Sequence, residues 1–187
     1  MSTKNLIDRY EIRLAGEGGQ GMILAGIILA EAAAIYDGKN ACQTQVYGPE
    51  ARGGASKAEV VIAQGEIDHP EVITADALIA MSQEACDKYG GNLKKDGWLI
   101  VDQEKVGRVP SSRAIKVPIT RLAQESSGRT ITANVVALGV LVGLTEVVSR
   151  AAIEKAVAAR APRGTEALNK AALEAGFTAA DLISKKE

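Results

Sequence analysis

Only eight residues, Pro49 to Ser56 (PEARGGAS), separate two strand-like runs, Ala41–Gly48 (ACQTQVYG) and Lys57–Gln64 (KAEVVIAQ). A parallel crossover takes about a dozen residues or more, so two neighbours joined this tightly must run antiparallel. Elsewhere strands and helices alternate. Tyr10–Ala15 reads as a first strand, followed by a helix from Gln20 to Asp37 that Gly38 closes. Ala75–Ser82 reads as a buried strand, Gln83–Gly91 as a helix, and Gly97–Gln103 and Ala114–Thr120 as further strands, with a helix from Thr120 to Ser126. Beyond Gly128 the pattern is helical only, over Ala133–Glu146, Ser149–Ala161 and Gly164–Ala175, with Thr178–Ser184 as a last short turn. The expected fold is α/β: one three-layer, Rossmann-like domain over residues 1–187, with a mixed, mostly parallel sheet and a helical C-terminal third.

Charge and residue type narrow the function. Lys and Arg number 22 against 23 Asp and Glu, and aromatics make up 3% of the 187 residues. That balance gives no footprint for nucleic acid, and few rings are available to stack bases. Cys42 and Cys86 are the only cysteines and His69 the only histidine. Neither the roughly four thiolates of an iron–sulfur cluster nor a full zinc set can come from this chain. No metal site is expected, and two thiols of this kind suit a reducing, cytoplasmic setting. The opening MSTKNLIDRYEIRL shows no signal-peptide pattern. The most apolar stretch, Val135–Leu144, is ten residues long. A spanning helix needs about 20, so no membrane span is expected and this should be a buried helix.

Two loops carry the chemistry. The first, Gly16-Glu17-Gly18-Gly19-Gln20-Gly21, satisfies G-x-G-x-x-G between a predicted strand and a predicted helix. Glycines there permit a tight turn, and a helix start presents free N–H groups to an anion. A dinucleotide site also needs an acid after the second strand for the ribose. Asp37 precedes that strand, and no acid follows its tip before Glu50. The loop could equally serve strand–helix packing. Gln20, between two glycines, suggests a polar contact with a ligand or partner.

The second loop gathers Tyr47, Glu50, Arg52, Gly53 and Gly54. Arg52 offers a planar fork for a carboxylate or phosphate, with open space beside it; a surface hairpin with an internal Glu–Arg pair is the alternative. His69, in DHPEV, reads as a surface turn residue. Asp102 could line the same sheet end as the loops or cap the turn that follows it.

GEGGQG followed by YGPEARGG resembles the gamma subunit of 2-oxoacid:ferredoxin (or acceptor) oxidoreductases, and the resemblance runs along nearly the whole chain. The resemblance implies a thiamine-diphosphate and iron–sulfur enzyme that makes an acyl-CoA and CO2 and passes two electrons to ferredoxin. It places thiamine diphosphate, magnesium and the [4Fe-4S] clusters on partner alpha and beta subunits, with a ferredoxin-like delta chain in some assemblies. This chain would then be a non-autonomous subunit with no catalytic residue of its own. Its second loop is most similar to the 2-oxoglutarate type; pyruvate, branched-chain and indolepyruvate types, or a free-standing nucleotide-binding module, are the alternatives. Both loops, Gly16, Gly18, Gly19, Gln20 and Gly21 with Tyr47, Glu50, Arg52, Gly53 and Gly54, would face the partners' cleft and coenzyme A. A homodimer is the expected form in isolation.

Overall fold

The computed structural model describes residues 8–46 and 55–185. Six strands form one sheet: β1 (Arg9–Glu17), β2 (Asn40–Val46), β3 (Ala55–Ala63), β4 (Ala75–Ala80), β5 (Leu93–Asp102) and β6 (Ile115–Val117). Their order is β2-β3-β1-β4-β5-β6. β2 and β3 pair antiparallel, as their short connection requires, and β3 also pairs antiparallel with β1. The ladders from β1 through β4 and β5 to β6 are parallel. The sheet is therefore mixed and mostly parallel, as expected.

Alternation along β1 divides the core. Ile12 and Leu14 face a large apolar cluster with Val60, Ile79 and Ile100, while Ala15, Leu78, Leu99 and Val101 face a smaller one on the other side. The larger face is covered by α1 (Met22–Glu31) and α4 (Ala133–Thr145), with α3 (Ile119–Ser127), α5 (Arg150–Arg160) and α6 (Glu166–Ser184) packed on them. The smaller face takes α2 (Gln83–Tyr89). Ser82 caps that helix by accepting from the Ala85 N–H at 3.2 Å.

Charged residues on the smaller face pin a loop. Arg13, almost wholly buried, donates to Glu59 at 2.8 Å and to the Val72 carbonyl at 2.9 Å. Glu11 accepts from the Ile73 N–H, and Arg9 reaches the carbonyls of His69 and Glu71. These bonds hold the β3–β4 connection against the sheet and leave His69 in an exposed turn, as its sequence context suggests.

Several boundaries differ from expectation: β5 begins at Leu93 rather than Gly97, β6 covers only Ile115–Val117 of the expected Ala114–Thr120, and the helices differ as well. The first helix starts at Met22 rather than Gln20, because Gly21 is in the left-handed region (φ 73°). Its last turn, Ala32–Tyr36, widens to π-helical bonding before Gly38 (φ 64°) ends it. The expected break between Gly164–Ala175 and Thr178–Ser184 does not exist: α6 runs unbroken from Glu166 to Ser184. Gly176 looks like a stop in sequence, yet it serves close packing. A Cβ on Gly176 would fall inside contact distance of the Val136 carbonyl and 2.8 Å from the Gly139 Cα. Gly139 is equally confined by the backbone of Leu173. The two glycines let α4 and α6 touch backbone to backbone, which a local helix propensity cannot reveal.

Gly176→Ala should therefore destabilise the chain by about 1–3 kcal/mol through overpacking. Denaturant unfolding reads this; a change below about 0.5 kcal/mol would contradict the backbone contact.

Candidate functional site

β1, β4 and β5 are parallel, so their carboxyl ends, Glu17, Ala80 and Asp102, come to one end of the sheet. Ligands of open α/β sheets bind outside the carboxyl ends of such strands. The glycine loop leaves β1 there and enters α1. Each glycine has a different physical reason. Gly16 is buried, and a Cβ on it would run into the Gln20 amide oxygen and Met81. Gly19 needs φ 93° and Gly21 φ 73°, which L side chains resist. A Cβ on Gly21 would also come within 2.7 Å of Asn134 Nδ2. Gly18 is exposed, lies outside the left-handed region and has nothing within 4 Å of a built Cβ. No contact among the described residues requires a glycine at 18.

Gln20 has a use that sequence reasoning did not find. Its Oε1 accepts from the Glu17 N–H at 2.8 Å and its Nε2 donates to the Met81 carbonyl at 3.0 Å. The side chain thus ties the loop to the end of β4 instead of standing free at the loop's mouth. Asn134, at the start of α4, does the same from the other side. Its Nδ2 donates to the Gly21 carbonyl at 3.3 Å, while its Oδ1 accepts from the Val135 N–H at 2.9 Å. The loop is therefore clamped by side-chain amides on both sides.

Asp102 is fully buried and structural. One oxygen accepts from the Glu104 N–H at 3.0 Å; the other accepts from the Thr120 N–H at 2.9 Å and from the Thr120 hydroxyl. It caps the turn after β5 and anchors the start of α3, the second of its two expected roles. Asp37 likewise holds structure: it accepts from the N–H and hydroxyl of Ser149, both at 2.6 Å.

The second loop, with Tyr47, Glu50, Arg52, Gly53 and Gly54, lies outside the described residues. Its flanks do not. Ala55 is in register with Glu17, Ser56 with Gly16, and Val46 with Lys57. Ser56 donates from its hydroxyl to the Gly16 carbonyl at 3.2 Å. Both flanks thus reach the sheet end that carries the glycine loop.

Two hollows flank Gly19. One, of about 400 Å³, is lined by Gly19, Gln20, Met81, Lys105, Thr120 and Thr130. The other, about 320 Å³ and more apolar, includes Leu24, Ile131 and Arg129. Ile131 is 72% exposed between them. Lys105 and Arg129 are exposed and make no ion pair among the described residues. With the N–H groups at the start of α1, they make this end hospitable to an anion. Sequence reading missed both, because no motif marks a lone cation in a connecting turn. The thiols are elsewhere: Cys86, on α2, is buried against the sheet, where burial raises its pKa, and Cys42 is on β2.

The glycine assignments are separable by stability. Gly19→Ala should cost about 1–2 kcal/mol from backbone strain, and Gly18→Ala less than about 0.5 kcal/mol. Thermal or denaturant unfolding of the full chain measures both; equal costs would contradict the geometry.

A family model for pyruvate ferredoxin/flavodoxin oxidoreductase matches residues 11–179. The 2-oxoglutarate synthase subunit KorC of Methanocaldococcus jannaschii is 48% identical over 96% of this chain and 98% of its own length. The pyruvate synthase subunit PorC of the same organism is 31% identical over 79% of this chain and 83% of its own length. The crystal structure of a keto/oxoacid ferredoxin oxidoreductase gamma subunit from Geobacter sulfurreducens superposes with a TM-score of 0.85, at 51% identity, covering 93% of this chain and 97% of that one. No described helix is long and apolar enough to cross a membrane. With the family model matched over residues 11–179 and relatives of about half identity covering nearly the whole length, the chain belongs to the pyruvate ferredoxin/flavodoxin oxidoreductase family.

Proposed function

We propose that this chain is the gamma subunit of a 2-oxoglutarate:ferredoxin oxidoreductase. The reaction joins 2-oxoglutarate and coenzyme A, releases CO2, yields succinyl-CoA and sends two electrons to ferredoxin. One observation carries the substrate class. Against two relatives from a single organism, identity is 48% to the 2-oxoglutarate synthase subunit and 31% to the pyruvate synthase subunit.

Partner alpha and beta chains would hold thiamine diphosphate, magnesium and the [4Fe-4S] clusters. Thiamine diphosphate supplies the electron sink for decarboxylation, and the clusters carry the electrons away. The donor set of this chain fits neither role. Two cysteines fall short of the roughly four that a cluster needs, and Cys86 is enclosed in the core.

The chain's own part is to bind and orient. The end of the sheet that carries Gly16–Gly21 would face the partners' active centre, with Arg52 completing it. The α1 N–H groups, Arg52, Lys105 and Arg129 would receive the phosphates of coenzyme A, and Gly18 would allow a close approach from outside the chain. Clamping by Gln20 and Asn134 fixes the loop and the α1 N–H groups in advance, so little of their ordering cost falls on binding.

Arg52→Ala in the assembled complex should raise KM for coenzyme A by about 10- to 100-fold, the loss of one charge-assisted bond. KM for 2-oxoglutarate and subunit assembly should stay unchanged. Unaltered coenzyme A kinetics in an intact complex would overturn the binding role. A several-fold preference for pyruvate over 2-oxoglutarate in the complex purified from the native source would overturn the substrate assignment.

A further inference from the structure

We propose, resting on the reading of the hollow beside Gly19 as a place for coenzyme A phosphates, that Gln83 is the positioning residue that sets Lys105 there. Lys105 lines that hollow with Gly19, Gln20 and Thr120, and it sits in the exposed connection between β5 and β6. Its ammonium rides on a flexible four-carbon stem, so the backbone beneath must be held if the charge is to stay in place.

On the upstream side Asp102 holds it. The Lys105 and Val106 N–H groups donate to the Asp102 carbonyl at 3.2 and 2.9 Å, and Val106 buries its side chain in the smaller cluster with Ala85 and Cys86. Downstream, no backbone–backbone hydrogen bond involves Gly107 to Pro110 among the described residues. Gln83, in the first turn of α2, takes their place. Its Oε1 accepts from the Gly107 N–H at 2.9 Å and from the Arg108 N–H at 3.0 Å. Its Nε2 donates to the Arg108 carbonyl at 3.0 Å and to Asp87 at 2.7 Å. Two lone pairs and two N–H groups are all that a carboxamide has, so this one is fully used. The other contacts from α2 are weaker: the Cys86 thiol lies 3.8 Å from the Arg108 carbonyl, and Arg108 makes an exposed pair with Asp87 at 3.4 Å.

The same junction between β4 and α2 also holds the glycine loop. The Met81 carbonyl accepts from Gln20 Nε2, and the Met81 N–H donates to the Ala15 carbonyl at 2.9 Å. Two carboxamides, Gln20 and Gln83, thus tie Gly19 and Lys105 to one short stretch of chain. That common frame, rather than an arriving ligand, sets the gap between the α1 N–H groups and the lysine.

A double-mutant cycle in the assembled complex tests this. Lys105→Ala should raise KM for coenzyme A about tenfold, and Gln83→Ala about three- to tenfold, with kcat and KM for 2-oxoglutarate unchanged. Gln83→Met, which keeps the length and helix propensity but makes none of these bonds, should behave like Gln83→Ala. Because Gln83 acts through Lys105, adding Gln83→Ala to Lys105→Ala should change KM by less than about twofold more. In the full chain, Gln83→Ala should speed hydrogen exchange at the Gly107 and Arg108 amides by at least about tenfold. Unchanged coenzyme A kinetics in Gln83→Ala beside a clear effect of Lys105→Ala would overturn the proposal and leave the reading of the hollow standing. So would full additivity of the two changes, or unchanged exchange at Gly107 and Arg108. Loss of assembly, or both KM values rising together, in Gln83→Ala and Gln83→Met would make Gln83 a general brace and overturn it as well. No effect of Lys105→Ala would overturn the reading of the hollow, and the role of Gln83 with it.

Discussion

The antiparallel ladder between β1 and β3 fixes the rest of the molecule. It runs through nine residue pairs, from Arg9 with Ala63 to Glu17 with Ala55. Because β3 returns beside β1, the strand that follows α1 is displaced to the edge of the sheet. Because the register ends at Glu17 and Ala55, the glycine loop and the flanks of the second loop share one end. The ladder is also where the sheet buries its charges: Arg13 and Glu59 face each other across it and hold the β3–β4 connection down.

That topology explains why a G-x-G-x-x-G loop need not imply a dinucleotide. In the dinucleotide fold the second strand lies parallel beside the first and ends in the acid that binds ribose. Here β3 occupies that side of β1 and runs the other way. Asp37, the acid just before β2, is bound to Ser149. The loop retains what any strand–glycine–helix junction has, a close backbone approach and free N–H groups. Among the described residues it lacks the partner that would select a ribose.

Much of this was legible in the sequence, for definite reasons. Eight residues between Gly48 and Lys57 admit only a tight return, so the mixed sheet could be read from a chain length. The buried helix over Val135–Leu144 could be read from an apolar run too short to span a bilayer. What escaped was information that belongs to pairs of residues far apart. Gly176 marks a helix stop when read locally and a crossing point when Gly139 is beside it. Gln20 reads as a free amide until the Met81 carbonyl, 61 residues away, is brought to it. Lys105 and Arg129 carry no motif and become neighbours of Gly19 only through the fold.

We propose that the sheet end carrying Gly16–Gly21 is the working face of the subunit. Hydrogen exchange on the isolated chain and on the assembled complex measures this most directly. Assembly should slow exchange at Glu17–Leu24, Ala55–Lys57 and Lys105 by at least tenfold, and leave the opposite end, around Gly65 and Gly91, unchanged. Protection confined to that opposite end, with the glycine loop exchanging as freely in the complex as alone, would contradict it.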